Sequence, residues 1–336
     1  MFQIQIEGTT KHFNCAPEDT LLRAALRAGI GFPYECNVGS CGNCKFELLE
    51  GALQNTWNEA PGLSEKDRTK NRWLGCQSQP CGNARIKLRE MEHYQPVHTP
   101  VKTPARFISK REITHDLHEF SFECETPLTF ASGQYALIHF AGVAGPRAYS
   151  MSQGGGSSTR IDFQARWIPG GSGTGKLFTM PLGEAVQIDG PFGMAYLREE
   201  APRDILLVGG GSGLAPMISL ARGALALKTP PFKNIHFIYG ARESRDICGL
   251  DMLNELPLWK TMGHYTAVVS NAPVDEVLPK GTQRGFVHEA VQTLHGHDVA
   301  NMEIYFAGPA LMAQAMIKLL VDQKVPMAQV HFDQFY

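Results

Sequence analysis

The chain has 336 residues, 43% apolar and 19% charged, with a formal net charge of −2. That length suits two or three compact domains, and the composition excludes a disordered chain. The near-neutral balance excludes electrostatic capture of nucleic acid or of an anionic membrane, and no apolar run of about 18 residues offers a transmembrane helix.

In chain order, Phe2–Ile6 alternates as a strand, and a second strand is expected near Lys11–Asn14. The opening MFQIQIEGTTKHF lacks the basic-then-apolar order of a secretory signal, so cytoplasmic residence is expected. Asp19 or Thr20 caps a predicted helix through Leu21, Leu22, Ala25 and Leu26, which stops before Gly29. Strands are expected at Lys45–Leu49 and Arg85–Leu88, on either side of a charged run at Lys66, Arg68, Lys70 and Arg72 that reads as a solvated face. Met91–Pro104 carries three prolines without periodicity and reads as a linker.

From Ala105 to about Arg198 short strands recur at Ser121–Cys124, Tyr135–Phe140, Ile161–Trp167 and Ala185–Asp189, with one short helix at Leu177–Met180. Such strand density predicts an antiparallel barrel or sandwich. From Ala201 the rhythm becomes strand then helix: Ile205–Val208, a helix at Met217–Leu227, then strands at Ile235–Tyr239, Tyr265–Val269 and Ile304–Phe306. Alternation of that kind predicts a doubly wound parallel sheet.

Eight cysteines in such a chain do not read as a disulfide framework. Four are grouped as Cys36-x4-Cys41-x2-Cys44 with Cys76 further on, while Cys15, Cys81, Cys124 and Cys248 are scattered. Thiolates suit zinc or an iron–sulfur cluster, and a zinc ribbon would bring two matched C-x2-C knuckles. C-x4-C-x2-C with a distant fourth cysteine is the plant-type [2Fe–2S] spacing, so these four are the candidate ligands. Gly39 and Gly42 leave room for the loop to turn its amides toward sulfur. Cys81 is the rival fourth ligand; Cys76 is preferred because Trp73-Leu74 can pack its loop against the domain.

The segment resembles plant-type ferredoxins, and Phe32-Pro-Tyr-Glu-Cys36 with Cys41-Gly-Asn-Cys44 is closest to the reductase components of bacterial multicomponent aromatic-ring oxygenases. The likeness runs through Lys45–Gly51 to His331–Tyr336, and is strongest to the carbazole dioxygenase and toluene monooxygenase types. It implies a multidomain chain: an α+β β-grasp ferredoxin domain over 1–92, a linker over 93–104, an antiparallel β-barrel FAD domain over 105–200, and a doubly wound α/β NAD domain over 201–336.

Arg147-Ala148-Tyr149-Ser150 matches the R-x-Y-S element of ferredoxin–NADP reductases. Arginine can pair with pyrophosphate oxygens, a tyrosine ring can stack on the flavin, and a serine hydroxyl can bond near N5, which makes Tyr149 and Ser150 the catalytic candidates. The family places the pyrophosphate at the glycine run with Gly171, Ser172, Gly173 and Thr174, lined by Arg166 and Trp167, and closes the domain with a turn at Gly190–Gly193. Gly209, Gly210, Gly211, Ser212 and Gly213 form a strand–turn–helix start of the dinucleotide type. Arg242 and Arg245 can hold a 2′-phosphate that Glu243 and Asp246 would repel, and the resemblance implies NADH. Phe306–Met312 corresponds to the family's C-G-P-P-x-M element, with Gly308 and Pro309 shaping the nicotinamide pocket and Ala307 in place of cysteine, so no thiol there assists hydride transfer. Phe335 and Tyr336 either anchor the tail or cover the flavin.

The resemblance thus implies a monomeric reductase passing electrons from NADH through FAD and the cluster to an oxygenase or hydroxylase component, or to an intermediary ferredoxin. A reductase for a non-oxygenase partner such as a deoxysugar dehydratase is the alternative with the same modules, and a non-catalytic zinc scaffold the alternative of a different class.

Overall fold

The computed structural model describes residues 1–335. The first sheet is built from Phe2–Ile6 (β1), His12–Cys15 (β2), Lys45–Glu50 (β3), Arg72–Leu74 (β5) and Ala84–Lys87 (β7), in the order β2-β1-β7-β3-β5. Leu53–Asn55 (β4) and Ser78–Pro80 (β6) make a separate two-stranded sheet. Helix α1, Leu21–Arg27, buries Leu21, Leu22, Ala25 and Leu26, as their spacing along one face requires. Its N-cap is Thr20, which makes no side-chain capping bond. A mixed sheet with helix α1 packed against it is the expected α+β ferredoxin domain.

Helix α2, Glu65–Thr69, lies in the charged run and has no apolar period to announce it. A capping box of Ser64 and Asp67 nucleates it, and buried Asp67 accepts Lys45 at 2.8 Å and Arg72 at 3.3 Å. Arg72 is therefore a paired residue at the start of β5, not only part of a solvated face. Met91 N–H donates to the Gly31 carbonyl at 2.9 Å, a 3-10 turn follows at Glu92–Tyr94, and the next strand begins at Val101, inside the span read as linker.

Val101–Glu112 (β8), Leu117–Phe130 (β9), Tyr135–His139 (β10), Arg147–Ser150 (β11), Gly156–Arg166 (β12) and Ala185–Phe192 (β13) form a sheet ordered β11-β10-β13-β8-β9-β12. An antiparallel bridge from Met151 to Phe163 joins the end of β11 to β12 and closes it as a barrel. Helix α3, Ser172–Thr179, starts five residues before the predicted helix. Gly190–Phe192 belongs to β13, so the predicted turn is corrected: that segment is strand until Gly193, whose φ of 105° ends it.

Ile205–Gly210 (β14), Ile235–Ala241 (β15), Gly263–Val269 (β16), Thr282–Arg284 (β17), Glu303–Pro309 (β18) and Val330–Phe335 (β19) form a parallel sheet ordered β17-β16-β15-β14-β18-β19. Its helices are Leu214–Ala226 (α4), Leu250–Asn254 (α5), Trp259–Met262 (α6), Val287–His295 (α7) and Ala310–Asp322 (α8). Every residue of β14 is buried, as expected for a central strand covered on both faces. Leu207 joins the core under α4, whereas Leu206 and Val208 join the core under α7 and α8, because successive side chains point to opposite faces.

By internal contacts the chain divides into two units, one of Met1–Thr103, Leu137–Ala148 and Gln187–Phe192, the other of Pro104–Ala136, Tyr149–Val186 and Gly193 onward. None of the described helices is long and apolar enough to cross a membrane.

Candidate functional site

Cys36, Cys41 and Cys44 lie on the loop between α1 and β3, and Cys76 on the 3-10 turn Gly75–Gln77 that follows β5. Gly75 N–H donates to the Cys44 carbonyl at 2.8 Å, which sets the turn against the loop and brings the sulfurs of Cys44 and Cys76 to 3.4 Å. The amides of Ser40 and Cys41 each donate to Cys36 Sγ at 3.3 Å, and that of Asn43 to Cys41 Sγ at 3.5 Å. Gly39 and Gly42 have φ of 96° and 78°, and a Cβ at Gly42 would stand 2.7 Å from the Gly62 carbonyl oxygen, so glycine is required there. The Cys41 thiol, with the amides of Val38, Cys41 and Ser40, holds the Cys36 thiol below its ordinary range. The Cys76 thiol and burial push Cys44 the other way. Amides aimed at sulfur, with two buried cysteines in contact, form a donor set that fits an iron–sulfur cluster. Cys81 is exposed, its N–H bonded to the Ala52 carbonyl, while Cys76 is 1% exposed.

Arg147 Nη1 donates to the carbonyls of Ala144, Gly145 and Pro146 at 3.0–3.2 Å, so the guanidinium is held on its own turn. Ala148 is exposed, Ser150 is buried, and the half-buried Tyr149 ring sits 6.3 Å from Phe163. Gly171 is the N-cap of α3, so the first-turn amides of Ser172, Gly173 and Thr174 lack intrahelical acceptors, which suits an anion. Trp167 donates its N–H to the Asp116 carbonyl at 2.7 Å and packs edge-on against Phe178 at 5.3 Å.

Arg166 differs from the sequence expectation in its surroundings. Its Nε donates to Asp116 at 2.6 Å, its Nη2 lies 3.7 Å from Asp246, and a Cβ on Gly211 would be 3.3 Å from its Nη1. The guanidinium therefore stands over the glycine turn Gly211–Gly213, not only beside the flavin segment. His115 Nδ1 is 3.5 Å from the same Asp246 oxygen. His115, Asp116 and Asp246 bring their ligand atoms within 4.8 Å, yet the Arg166 charge already occupies that acidic pair.

The glycine turn is shaped by close approach. A Cβ on Gly213 would meet the Ala307 carbonyl oxygen at 2.0 Å, and one on Gly210 would meet Met312 Sδ at 2.6 Å. Gly211 takes φ of 58°, and its carbonyl accepts the Tyr239 hydroxyl at 3.1 Å. Gly209 and Gly210 end the fully buried strand β14, Ser212 lies in the turn, and α4 starts at once on Leu214, three residues before the predicted start. This is a helix N-terminus presented with little side-chain cover, the geometry a pyrophosphate needs. Arg242 is exposed, and Arg245 pairs with Glu243 at 2.8 Å, which neutralises the charge a 2′-phosphate would seek. Asp116 and Tyr239 were not legible as site residues, and Asp246, read only as repelling a 2′-phosphate, was not legible as a partner of Arg166, since each takes its role from a residue distant in sequence.

At the same end of the neighbouring parallel strand, Gly308 and Pro309 close β18, and a Cβ on Gly308 would touch Met312 at 2.9 Å. Phe335 pairs in register with Pro309 and packs on the core under α4, so it is a docked strand residue beside that element. Tyr336 lies outside the described residues. The strand is pinned by Glu303, which accepts His331 at 2.6 Å and Arg203 at 2.6 and 2.8 Å. Burial pushes the Glu303 carboxyl up, but His331 and Arg203 outweigh it and hold it below the usual range. A depressed carboxylate stabilises the fold above its unfolded pKa and loses that contribution as pH falls through its folded pKa. Glu303→Gln is therefore expected to lower the thermal midpoint at pH 7, at a cost of about 2 kcal/mol or more for a broken buried pair. The gap from wild type should narrow as pH falls below about 4.3; a pH-independent gap in melting scans would contradict this.

Thiolate loop, flavin barrel and glycine turn together define an oxidoreductase that joins iron–sulfur, flavin and nicotinamide modules in one chain. Family models agree along its length: a 2Fe-2S iron-sulfur cluster binding domain matches residues 4–81, an oxidoreductase FAD-binding domain 104–196, and an oxidoreductase NAD-binding domain 207–318. The chain is 34% identical to the ferredoxin–NAD(P)+ reductase CarAd of Metapseudomonas resinovorans, over all of both chains. It is also 34% identical to the ferredoxin–NAD+ reductase component of the alkene monooxygenase system of Xanthobacter autotrophicus, over 97% of this chain and 98% of that one. The solved ferredoxin reductase of carbazole 1,9a-dioxygenase superposes with a TM-score of 0.90 at 33% identity, covering 100% of this chain and 98% of that one. The chain belongs to this family of ferredoxin–NAD(P)+ reductases, with [2Fe–2S], FAD and NAD as its cofactors. Neither the dehydratase partner nor the zinc scaffold is favoured by these relatives.

Proposed function

We propose that this reductase serves the oxygenase or hydroxylase component, or an intermediary ferredoxin, of an aromatic-ring hydroxylating system of Rieske or diiron type, with NADH as donor. When bound, nicotinamide, flavin and cluster supply hydride transfer, two-electron storage and single-electron release. The chain's residues hold and orient those groups. Cys36, Cys41, Cys44 and Cys76 are the cluster ligands. Arg147 and the first turn of α3 hold flavin phosphate, with Tyr149 against the ring and Ser150 near its reactive nitrogen. The turn Gly209–Gly213 holds the dinucleotide pyrophosphate, with Gly308 and Pro309 at the nicotinamide and Phe335 either anchoring the tail or covering the flavin face. The modules divide at 1–92, 93–104, 105–200 and 201–336. The chain works in the cytoplasm as a monomer, and its partner docks transiently near Cys41–Cys44, as redox encounters of small area do.

The observation that carries the reading is the amide-lined thiolate loop with Cys44 and Cys76 in contact, in a chain that also carries the glycine turn beneath Arg166. NADH rather than NADPH is supported by Glu243 pairing with Arg245. The test is anaerobic stopped-flow reduction by each nucleotide, followed by electron transfer to purified candidate oxygenases; transfer to none of them would sink the partner assignment. Arg166→Ala separates the two places that residue can serve. Its contacts with the glycine turn lead us to expect the KM for NADH to rise about tenfold, the scale of one charge-assisted contact, with FAD occupancy unchanged. Loss of FAD with an unchanged KM would return Arg166 to the flavin.

A further inference from the structure

Three histidines converge at the amino-terminal ends of the parallel strands, the opposite end from the glycine turn. His236 and His264 are the second residues of β15 and β16 and are paired in register, with rings stacked at 4.9 Å and 17°. His295 ends α7 on the same face and meets the His236 ring edge-on at 4.7 Å. Their neighbours Phe237 and Tyr265 point to the other face and stack on each other, so the histidines are not a continuation of the aromatic core. The three rings line an open cleft of about 560 Å³ with Thr266 and Leu294.

Three imidazoles gathered in one cleft have no evident structural purpose. Among the described residues none of the three rings makes a side-chain hydrogen bond, and the buried His295 Nε2 has no partner. Burial, helped by the neighbouring rings, lowers the pKa of His236 to about 4, and burial lowers that of His295 as well. His236 and His295 thus keep their lone pairs at neutral pH, which is the state that ligates metals and not the state that binds anions. Asp298 lies near His295, and Asp204 near His236, but Asp204 is already engaged by Lys233 N–H and Asn234.

We infer that His236, His264 and His295 form a binding site for a divalent transition ion of the zinc, nickel or copper class, remote from the electron-transfer cofactors. Imidazole nitrogens bind such ions at about 2.0–2.1 Å, which places two of them about 3.3 Å apart at a tetrahedral angle. Ring centroids 4.7–4.9 Å apart bring the three imidazoles within reach of one ion, but the stacked His236 and His264 rings do not converge their in-plane lone pairs as they stand. The ring nitrogens do not all lie within 4.8 Å of one another as they stand, so binding turns at least one ring. His264 is exposed and faces open cleft, which gives it room to turn. Asp298 supplies compensating charge, and water completes the shell. The ion would tie the start of β15 and β16 to the end of α7.

The test is calorimetric titration of the holoprotein with Zn2+, its cluster and flavin intact by visible absorbance. Wild type should bind one ion per chain and melt at higher temperature with Zn2+ present, by mass action. His264→Ala, an exposed position that spares the fold, should weaken binding at least tenfold and lose the thermal shift, with the visible spectrum unchanged. His295→Asn should do the same. With Cu2+ as probe, the EPR signal should show coupling to histidine nitrogen in wild type and lose part of it in His264→Ala. No binding in wild type, or equal binding in wild type and both variants, overturns the site. The outcome is independent of the partner assignment, because neither cluster nor flavin enters the readout.

Discussion

A Cys76→Ala chain is expected to lack the EPR signal of a reduced [2Fe–2S] cluster while NADH still reduces its flavin. Cys76 is buried, and its sulfur stands 3.4 Å from that of Cys44, a separation that two ligands of one iron would show. Removing it leaves three thiolates for a four-thiolate centre, and electron flow to a one-electron acceptor such as cytochrome c should drop at least about a hundredfold, beyond the 10–100-fold that supporting residues alone command. Ferricyanide reduction, which draws on the flavin directly, should persist. Cys81→Ala is the control: its side chain is exposed, and the cluster should form normally. A normal EPR signal in Cys76→Ala with loss in Cys81→Ala would reverse the assignment.

The second large effect is expected at Gly213. An alanine methyl there would lie 2.0 Å from the Ala307 carbonyl oxygen and 2.6 Å from its carbon, and both belong to the backbone of β18. Backbone between two central strands cannot yield by that distance, so the glycine turn must move, at a cost of about 3 kcal/mol for overpacking. A displacement near 1 Å at a reacting centre costs about a hundredfold in rate. NADH-driven flavin reduction should therefore fall by about two orders of magnitude, while dithionite still reduces flavin and cluster. Gly209→Ala, whose nearest contact is 3.1 Å, should be milder. Circular dichroism separates loss of the turn from loss of the domain; wild-type reduction rates in Gly213→Ala would refute the close-approach argument.

Much of this architecture was legible before any coordinate. The strands Phe2–Ile6 and Ile205–Val208 follow from their apolar pattern, and the cysteine spacing identified the cluster class, because ligand geometry confines three of the four thiolates to one short loop. Helix α2 escaped because Glu65–Thr69 is entirely polar and depends on a capping box, not on a buried face. The early start of α4 escaped because glycines at 211 and 213 read as loop, whereas packing against Ala307 carries the helix up to them. The turn expected at Gly190–Gly193 became strand because β13 continues through Pro191 to Phe192.

The cysteine loop marks where the two kinds of knowledge part. By itself the sequence determined the three modules, their order and the thiolate set Cys36, Cys41 and Cys44, since those follow from local spacing and short apolar runs. Only the tertiary structure decided that Cys76 rather than Cys81 touches Cys44, that Arg166 bridges Asp116 and Asp246 above Gly211, and that His236, His264 and His295 share a cleft. Those partners are about 30 to 130 residues apart. Their meeting depends on strand order and register, which no local window of sequence encodes.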